Sequence, residues 1–322
     1  MLDGMPKTKR VIRYAVVDAF TSEPFKGNSA AVCLLEEGQA GGKPWDEQWM
    51  QSVATEFNTP ITAFLVRFGP SSAGPDATRA DAIAFVANPQ FHIRWFTPVR
   101  ESEVCGHGTL ASAHYLIASG LVQCDTTEFL AKSGRLTAKK VIAQEKESTL
   151  STPQNNSTDF MIELDFPVFP VVKGNSSETS SISETLNGAS VISELHTVSP
   201  APDHIVELSS CEEVINVRPY AAELAQCAGR GVAVTGPGHE GSSYDFVTRF
   251  FCPKYGLIED PVCASVHCAL APYWGKKLGK QTMKAFMASP RSGTLYLQWD
   301  EESHRVRISG EAVIVMLGTL LV

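Results

Sequence analysis

The chain has 322 residues, 43% hydrophobic and 19% charged, enough to bury a sizeable core in two domains or one large one. A formal net charge of −8 leaves no basic surface to follow a phosphate backbone, which argues against a nucleic-acid partner. The polar start, MLDGMPKTKR, lacks the apolar core of a secretory leader, and the apolar run at 312–322 is too short to cross a bilayer as a helix. The expectation is a cytoplasmic protein without a membrane contact, and a homodimer stays open.

In chain order, YAVVDAF, GNSAAVCLL, ITAFLVRF and FHIRWFTP read as strands. Between the second and third, DEQWMQSVATEF repeats Trp49, Met50, Val53 and Phe57 at helical steps, with Asp46 as the N-cap. HGTLASAHYLIASG is a small-residue helix closed by Gly120 at C′. EFLAKS, GRLTAKKVI and DFMIELDFP are further strands, and the polar insertions at 143–159 and 173–181 are loops. ISETLNGAS and PYAAELAQCA read as helices, HIVELSS as a strand, and SGTLYLQW with RVRISGEAVIVML as the final hairpin. Few helices among many strands predict an α+β fold.

GPGHEG, at 236–241, matches a dinucleotide fingerprint by letter, but such a loop must open a helix. The next residues, SSYDFVTRFF, are rich in β-branched and aromatic side chains, so GPGHEG reads as a hairpin connection.

The eight cysteines form no C-x-x-C pair, and without a secretory signal they are expected to be reduced. The N-x-S/T patterns at Asn155, Asn156 and Asn175 are discounted on the same ground. Two cysteines stand apart because their surroundings repeat. Arg94-Trp95-Phe96-Thr97-Pro98 leads to Val104-Cys105-Gly106-His107, and Arg249-Phe250-Phe251-Cys252-Pro253 leads to Val262-Cys263-Ala264-Ser265. Each copy has the form Arg-aromatic-Phe-x-Pro, an acidic loop, Val-Cys, then a small-residue helix, the second being ASVHCALAPYW ended by Pro272. Two such copies predict two similar domains facing each other about a pseudo-twofold axis.

Each cysteine falls at a helix start, where unpaired N–H groups and the helix dipole favour negative charge. A lowered thiol pKa is expected there. The amides of Gly106, His107 and Gly108 and those of Ala264 and Ser265 form an anion site suited to a carboxylate. Opposed thiols about a carboxylate describe a two-base isomerase, one removing the α-proton and the other delivering a proton to the far face. No cofactor is needed. A zinc site is not expected, because C-x-H and C-x-x-x-H are not the usual spacings.

The stretches VDAFTSEPFKGNSAAVCLL, MQSVATEFNTPITAFL, FHIRWFTPVRESEVCGHGTLASAH and DFVTRFFCPKYGLIEDPVCASVHCALAPYW resemble the phenazine-biosynthesis PhzF-like proteins of the diaminopimelate-epimerase-like fold. The resemblance implies two pseudo-symmetric domains, each a barrel-like mixed sheet around a central helix. The first would span 11–126, completed by 312–322, and the second 127–311. It implies a general acid/base role for Glu56, and site roles for His107, Asp260 and Ser265, with Asn28 of Gly27-Asn28-Ser29 positioning substrate. Cys263 stands where ordinary members more often carry threonine, so the chain looks like the plant branch, which includes amino-acid racemases and epimerases. The leading expectation is a cofactor-independent racemase or epimerase using Cys105 and Cys263. The alternatives are a Glu56-based isomerase of a cyclic hydroxy-acid and a non-catalytic binder of small ligands.

Overall fold

The structure, a computed structural model, describes residues 11–35, 46–68, 89–142, 160–174, 182–198 and 202–321. The predicted polar insertions therefore lie almost wholly outside the described residues. Among the described residues eighteen strands join into one hydrogen-bonded sheet, and the order of pairing repeats. In the first half β1 (Val11–Ala19) pairs antiparallel with β2 (Asn28–Leu35), which runs parallel to β3 (Ile61–Phe68). β3 pairs antiparallel with β4 (Gln90–Phe96), which carries the short β5 (Glu101–Ser102) and runs parallel to β6 (Thr126–Ala131). β6 pairs antiparallel with β7 (Gly134–Ile142) and β7 with β8 (Phe160–Pro167).

The second half repeats this succession. β9 (Val171–Lys173) lies beside β10 (Val191–Thr197), and β10 pairs antiparallel with β11 (Asp203–Leu208). β11 runs parallel to β12 (Gly231–Pro237), and β12 antiparallel to β13 (Phe246–Cys252). β13 carries the short β14 (Leu257–Asp260) and runs parallel to β15 (Thr282–Met287). β16 (Gly293–Asp300) and β17 (Arg305–Gly310) continue antiparallel. β17 then joins β8 of the first half, and β18 (Ala312–Leu321) returns to β1. The expected boundary between 126 and 127 falls at the start of β6, which pairs with β4 on one side and β7 on the other.

The helices explain the wrapping. α1 (Glu47–Phe57) is capped as the sequence predicts, Asp46 accepting from the Gln48 N–H and Asn58 closing the helix in the left-handed region. It buries Met50 and Ala54 in a small cluster with Ile12, Cys33, Phe64 and Phe96. α2 (Gly106–Ala118) is buried on every side through Leu116. A helix apolar all round belongs inside a fold, and α2 contacts β1, β2, β3, β7, β8 and β18. Its predicted C′ glycine, Gly120, has φ +67°.

In the second half the short α3 (Cys211–Asn216) packs on β11, β12 and β13, and α4 (Ala221–Leu224) adds Leu224 to the same apolar cluster. α5 (His267–Leu278) packs on β15, β16 and β17. Pro272 does not end α5, contrary to the expectation from sequence. A proline inside a helix strands the carbonyl four residues back, and here that carbonyl, of Cys268, accepts from the Phe169 N–H at 3.0 Å. GPGHEG lies at the β12–β13 connection, where Pro237 pairs with Phe246, so it is the hairpin that the sequence predicts.

The repeated arginines clamp their own loops. Arg94 holds Glu101 in a two-pronged pair at 2.7 and 2.8 Å, and Arg249 holds Glu259 at 2.7 and 2.8 Å. Bidentate geometry of this kind fixes direction as well as distance. Each guanidinium also lies over the Phe two residues on, Phe96 at 5.1 Å and Phe251 at 4.9 Å. The second copy has three more residues between its proline and its cysteine, and a 3-10 turn of three residues, Pro253–Tyr255, accommodates them. Tyr255 then reaches across to the first copy, its ring 4.1 Å from the Arg100 guanidinium.

Candidate active site

The two cysteine motifs meet. An added Cβ at Gly106 would lie 2.8 Å from the Ala264 Cβ, so the start of α2 abuts the residue after Cys263 and a side chain at 106 would force a shift. A cleft opens beside this contact. Cys105, Gly106 and His107 line it from the first half, and Asp260, Cys263, Ala264 and Ser265 from the second. Seven of the ten predicted site residues therefore share one surface. Gly108, Asn28 and Glu56 do not line it.

Cys105 is the N-cap of α2, its Sγ accepting from the Gly108 N–H at 3.3 Å. That bond occupies one amide that the sequence assigns to substrate. Cys263 is arranged differently. A turn at 264–266 separates it from α5, which begins at His267, so it is not a helix cap. The amides of Ala264 and Ser265 make no backbone hydrogen bond among the described residues. Four residues beyond each cysteine a side chain donates to the cysteine's own carbonyl: Thr109 to Cys105 at 2.7 Å, and His267 Nδ1 to Cys263 at 2.8 Å.

The expected low thiol pKa is not found. Burial pushes the Cys105 thiol above its ordinary value, and the Gly108 N–H opposes this without prevailing. Cys263 is pushed up to about 12, chiefly by burial, with Asp260 adding and Arg230 opposing. The reason is that removing a thiolate from water costs more than one or two amide dipoles return. In this cleft both thiols therefore favour the protonated form.

Asn28 works behind the surface. Fully buried at the start of β2, it donates to Asp260 Oδ1 at 2.7 Å and to the Val262 carbonyl at 3.0 Å, with His107 Nδ1 at 3.2 Å. One amide from the first half thus fixes a carboxylate of the second. Its Oδ1 has no hydrogen-bond partner among the described residues. His107 Nδ1 also lies 3.4 Å from Cys105 Sγ, and burial lowers that imidazole to about 3, leaving it neutral. Asp260 is raised to about 6 by burial, against Arg230 and the Val262 N–H.

Arg230 is a site residue that the sequence does not announce. It stands just before β12 and lines the cleft, donating to Ser265 Oγ at 2.7 Å and to Asp203 at 2.8 and 2.5 Å. Ser265 Oγ in turn lies 3.4 Å from Cys263 Sγ. Burial works against the guanidinium's charge, but Asp203 holds its pKa above the ordinary value. The only sequence hint is a lone arginine between Gly229 and Gly231, outside the repeat.

Glu56 is corrected. It lies on the exposed side of α1, while the nearby wall of the cleft is Pro60 and Ile61. Helical periodicity turns Met50 and Ala54 inward, and Glu56, two positions beyond Ala54, falls on the other face.

Comparison with known proteins agrees with this architecture. The sequence profile of the phenazine biosynthesis-like proteins matches residues 17–318. The chain belongs to that family. It is 34% identical over 315 residues to phenazine biosynthesis-like domain-containing protein 2 of Mus musculus, covering 95% of this chain and 97% of that one. It is 36% identical over 307 residues to an uncharacterized isomerase of Halalkalibacterium halodurans, again with 95% and 97% coverage. The crystal structure of a PhzF family protein from Enterococcus faecalis superposes with a TM-score of 0.74 at 33% identity, covering 97% of this chain and all of that one. The phenazine biosynthesis-like assignment matches the α+β fold of two pseudo-symmetric halves described above.

Proposed function

We propose that this isomerase inverts the configuration of a carbon α to a carboxylate, with a small amino acid as substrate and Cys105 and Cys263 as the paired acid and base. The observation behind this reading is that two thiols at equivalent stations of a repeated architecture line one cleft, while the wall at the end of α1 carries Ile61 and no carboxylate. One thiol, once ionised, takes the α-proton and leaves a planar enediolate. The other gives its proton to the opposite face, so the two sulfurs exchange protonation states in each turnover.

The groups for the developing charge are at hand. Arg230, the Ser265 hydroxyl and the Ala264 and Ser265 amides supply donors for the carboxylate, and donors aimed at charge that grows in the transition state carry the largest share of such catalysis. Asp260, with a pKa of about 6, faces the substrate ammonium and is charged at neutral pH. Proton transfer from the thiols contributes about 10²–10⁴-fold. The Glu56 alternative is not favoured, because that carboxylate lies outside the cleft.

The test is solvent exchange. In D₂O, free amino acids supplied as single enantiomers should gain deuterium at Cα during inversion. If Cys105→Ser/Cys263→Ser keeps full inversion while Glu56→Gln abolishes it, the thiol reading is wrong.

A further inference from the structure

In the second half, apart from the residues that line the cleft, three side chains with metal-ligand chemistry converge. Glu194 and His196 are two residues apart on β10, so they share a face. His204 on β11 stands directly opposite His196 in the antiparallel register. Glu194 Oε1 lies 3.7 Å from His196 Nε2 and 3.7 Å from His204 Nδ1, and the three donor atoms lie within 4.8 Å of one another. The imidazole rings meet edge to face at 4.3 Å. A distance of 3.7 Å is too long for a hydrogen bond. It is close to the roughly 3.3 Å that separates two ligands about 2.0–2.1 Å from a tetrahedral ion.

One further observation points to a ligand. The Glu194 side chain is 3% exposed, and its buried Oε2 has no hydrogen-bond partner among the described residues. A buried carboxylate oxygen in that state is costly unless a cation meets it. The backbone at residue 174 packs closely on the same side chains. A Cβ at residue 174 would lie 2.9 Å from His196 Nε2 and 3.2 Å from Glu194 Cγ, and residue 174 is glycine.

We propose that Glu194, His196 and His204 bind one divalent transition-metal ion of the zinc type, through the carboxylate, Nε2 and Nδ1, with one coordination position open. Two imidazoles exclude magnesium and calcium, which take oxygen ligands, and suit zinc, copper or nickel. The ion joins β10 to β11, and β11 begins with Asp203, which holds Arg230 in the cleft.

The experiment uses the full-length chain, stripped of metal with a chelator and titrated with ZnCl₂ by calorimetry. One zinc per chain is expected, with a rise in melting temperature. Glu194→Gln and His196→Gln should each weaken binding by at least about 100-fold, and Gly174→Ala should weaken it without removing a ligand. The cleft thiols are the competing zinc ligands, so Cys105→Ser/Cys263→Ser must retain the site. Cobalt(II) bound to the unmodified protein gives a readout that no variant's folding can disturb: d–d absorption without a sulfur-to-metal charge-transfer band. Absence of stoichiometric binding overturns the proposal. So does a thiolate band, loss of the site in the double serine variant, or unchanged affinity in Glu194→Gln and His196→Gln.

Discussion

The two cysteine stations are built on one plan and finished differently. Around both, an arginine clamps a glutamate, a Phe lies under the guanidinium, and a side chain four residues on caps the cysteine carbonyl. At the first station the thiol caps its helix and has a neutral histidine beside it. At the second a free turn succeeds the thiol, and an Arg230–Ser265 pair approaches it. By strand register, Arg230 occupies the place that Pro60 occupies in the first half, each lying just before a strand start that pairs alike. Symmetry therefore supplies two thiols, and its breaking gives the cleft a single cationic end. Under the proposed inversion, that end is where the one substrate carboxylate binds.

The sharpest way to break the comparison is to remove one thiol at a time. Cys105→Ser and Cys263→Ser should each lower inversion by about 10³-fold, since both faces must be served in every turnover. The check is polarimetry alongside NMR detection of Cα deuteration. A variant that inverts at the wild-type rate would show that its station is an evolutionary remnant. Next in size is the contact between the stations. Gly106→Ala drives a methyl into Ala264 and should cost about 100-fold in kcat/KM, the penalty of misplacing reacting groups by about an ångström. Gly106→Ala/Ala264→Gly restores the space and should recover most of it. Failure to recover would mean that the glycine serves backbone conformation rather than the approach of the two halves.

Legibility in the sequence differs among these same residues. Cys105, Cys263 and the helices beyond them are legible because Arg-aromatic-Phe and Val-Cys-small recur in order, and the α+β pattern comes from many strands among few helices. The glutamates that the repeated arginines hold, Glu101 and Glu259, are not. They lie 7 and 10 residues downstream, and the 3-10 turn hides the correspondence. Arg230, Asp203 and the Glu194–His196–His204 cluster come together through strand register, which a single sequence does not display. Pro272 misleads because the amide that satisfies the stranded carbonyl, that of Phe169, comes from another segment. Glu56 enters by resemblance, although the period that turns Met50 and Ala54 inward turns Glu56 outward. The thiol pKa escapes a motif because burial dominates it, and a motif does not show burial.

The asymmetric end of the cleft should show in a smaller effect. Arg230→Gln removes a charged donor from the substrate carboxylate and should raise KM by about 10–100-fold, the range for a hydrogen bond to a charged group. Asp203→Asn loosens the same guanidinium without removing it and should cost less. Steady-state kinetics with one amino acid and its amide provide the check. If Arg230 binds the carboxylate, the amide loses much less than the acid when Arg230 is replaced. Equal losses would assign the arginine to holding Ser265 alone.

The smallest effect concerns stability, and again sets one station against the other. His107 is lowered to about 3 and His114 to about 4 in the first half, and His267 to about 4 in the second, all chiefly by burial. Each folded pKa lies below the unfolded value of about 6.5, so the unfolded chain takes up protons first. Their contribution is complete above that value and is lost as pH falls toward about 4. The melting temperature should therefore drop steadily from about pH 7 to about pH 4.5. His114, stacked on Phe160 at 5.2 Å, has no cleft role, so His114→Phe keeps an aromatic ring and removes one titration. Its melting curve should depend less steeply on pH than that of the wild type. His267 holds the Cys263 carbonyl through Nδ1, so His267→Phe should flatten the same slope and also impair turnover, because at that station the buried imidazole supports the thiol's backbone.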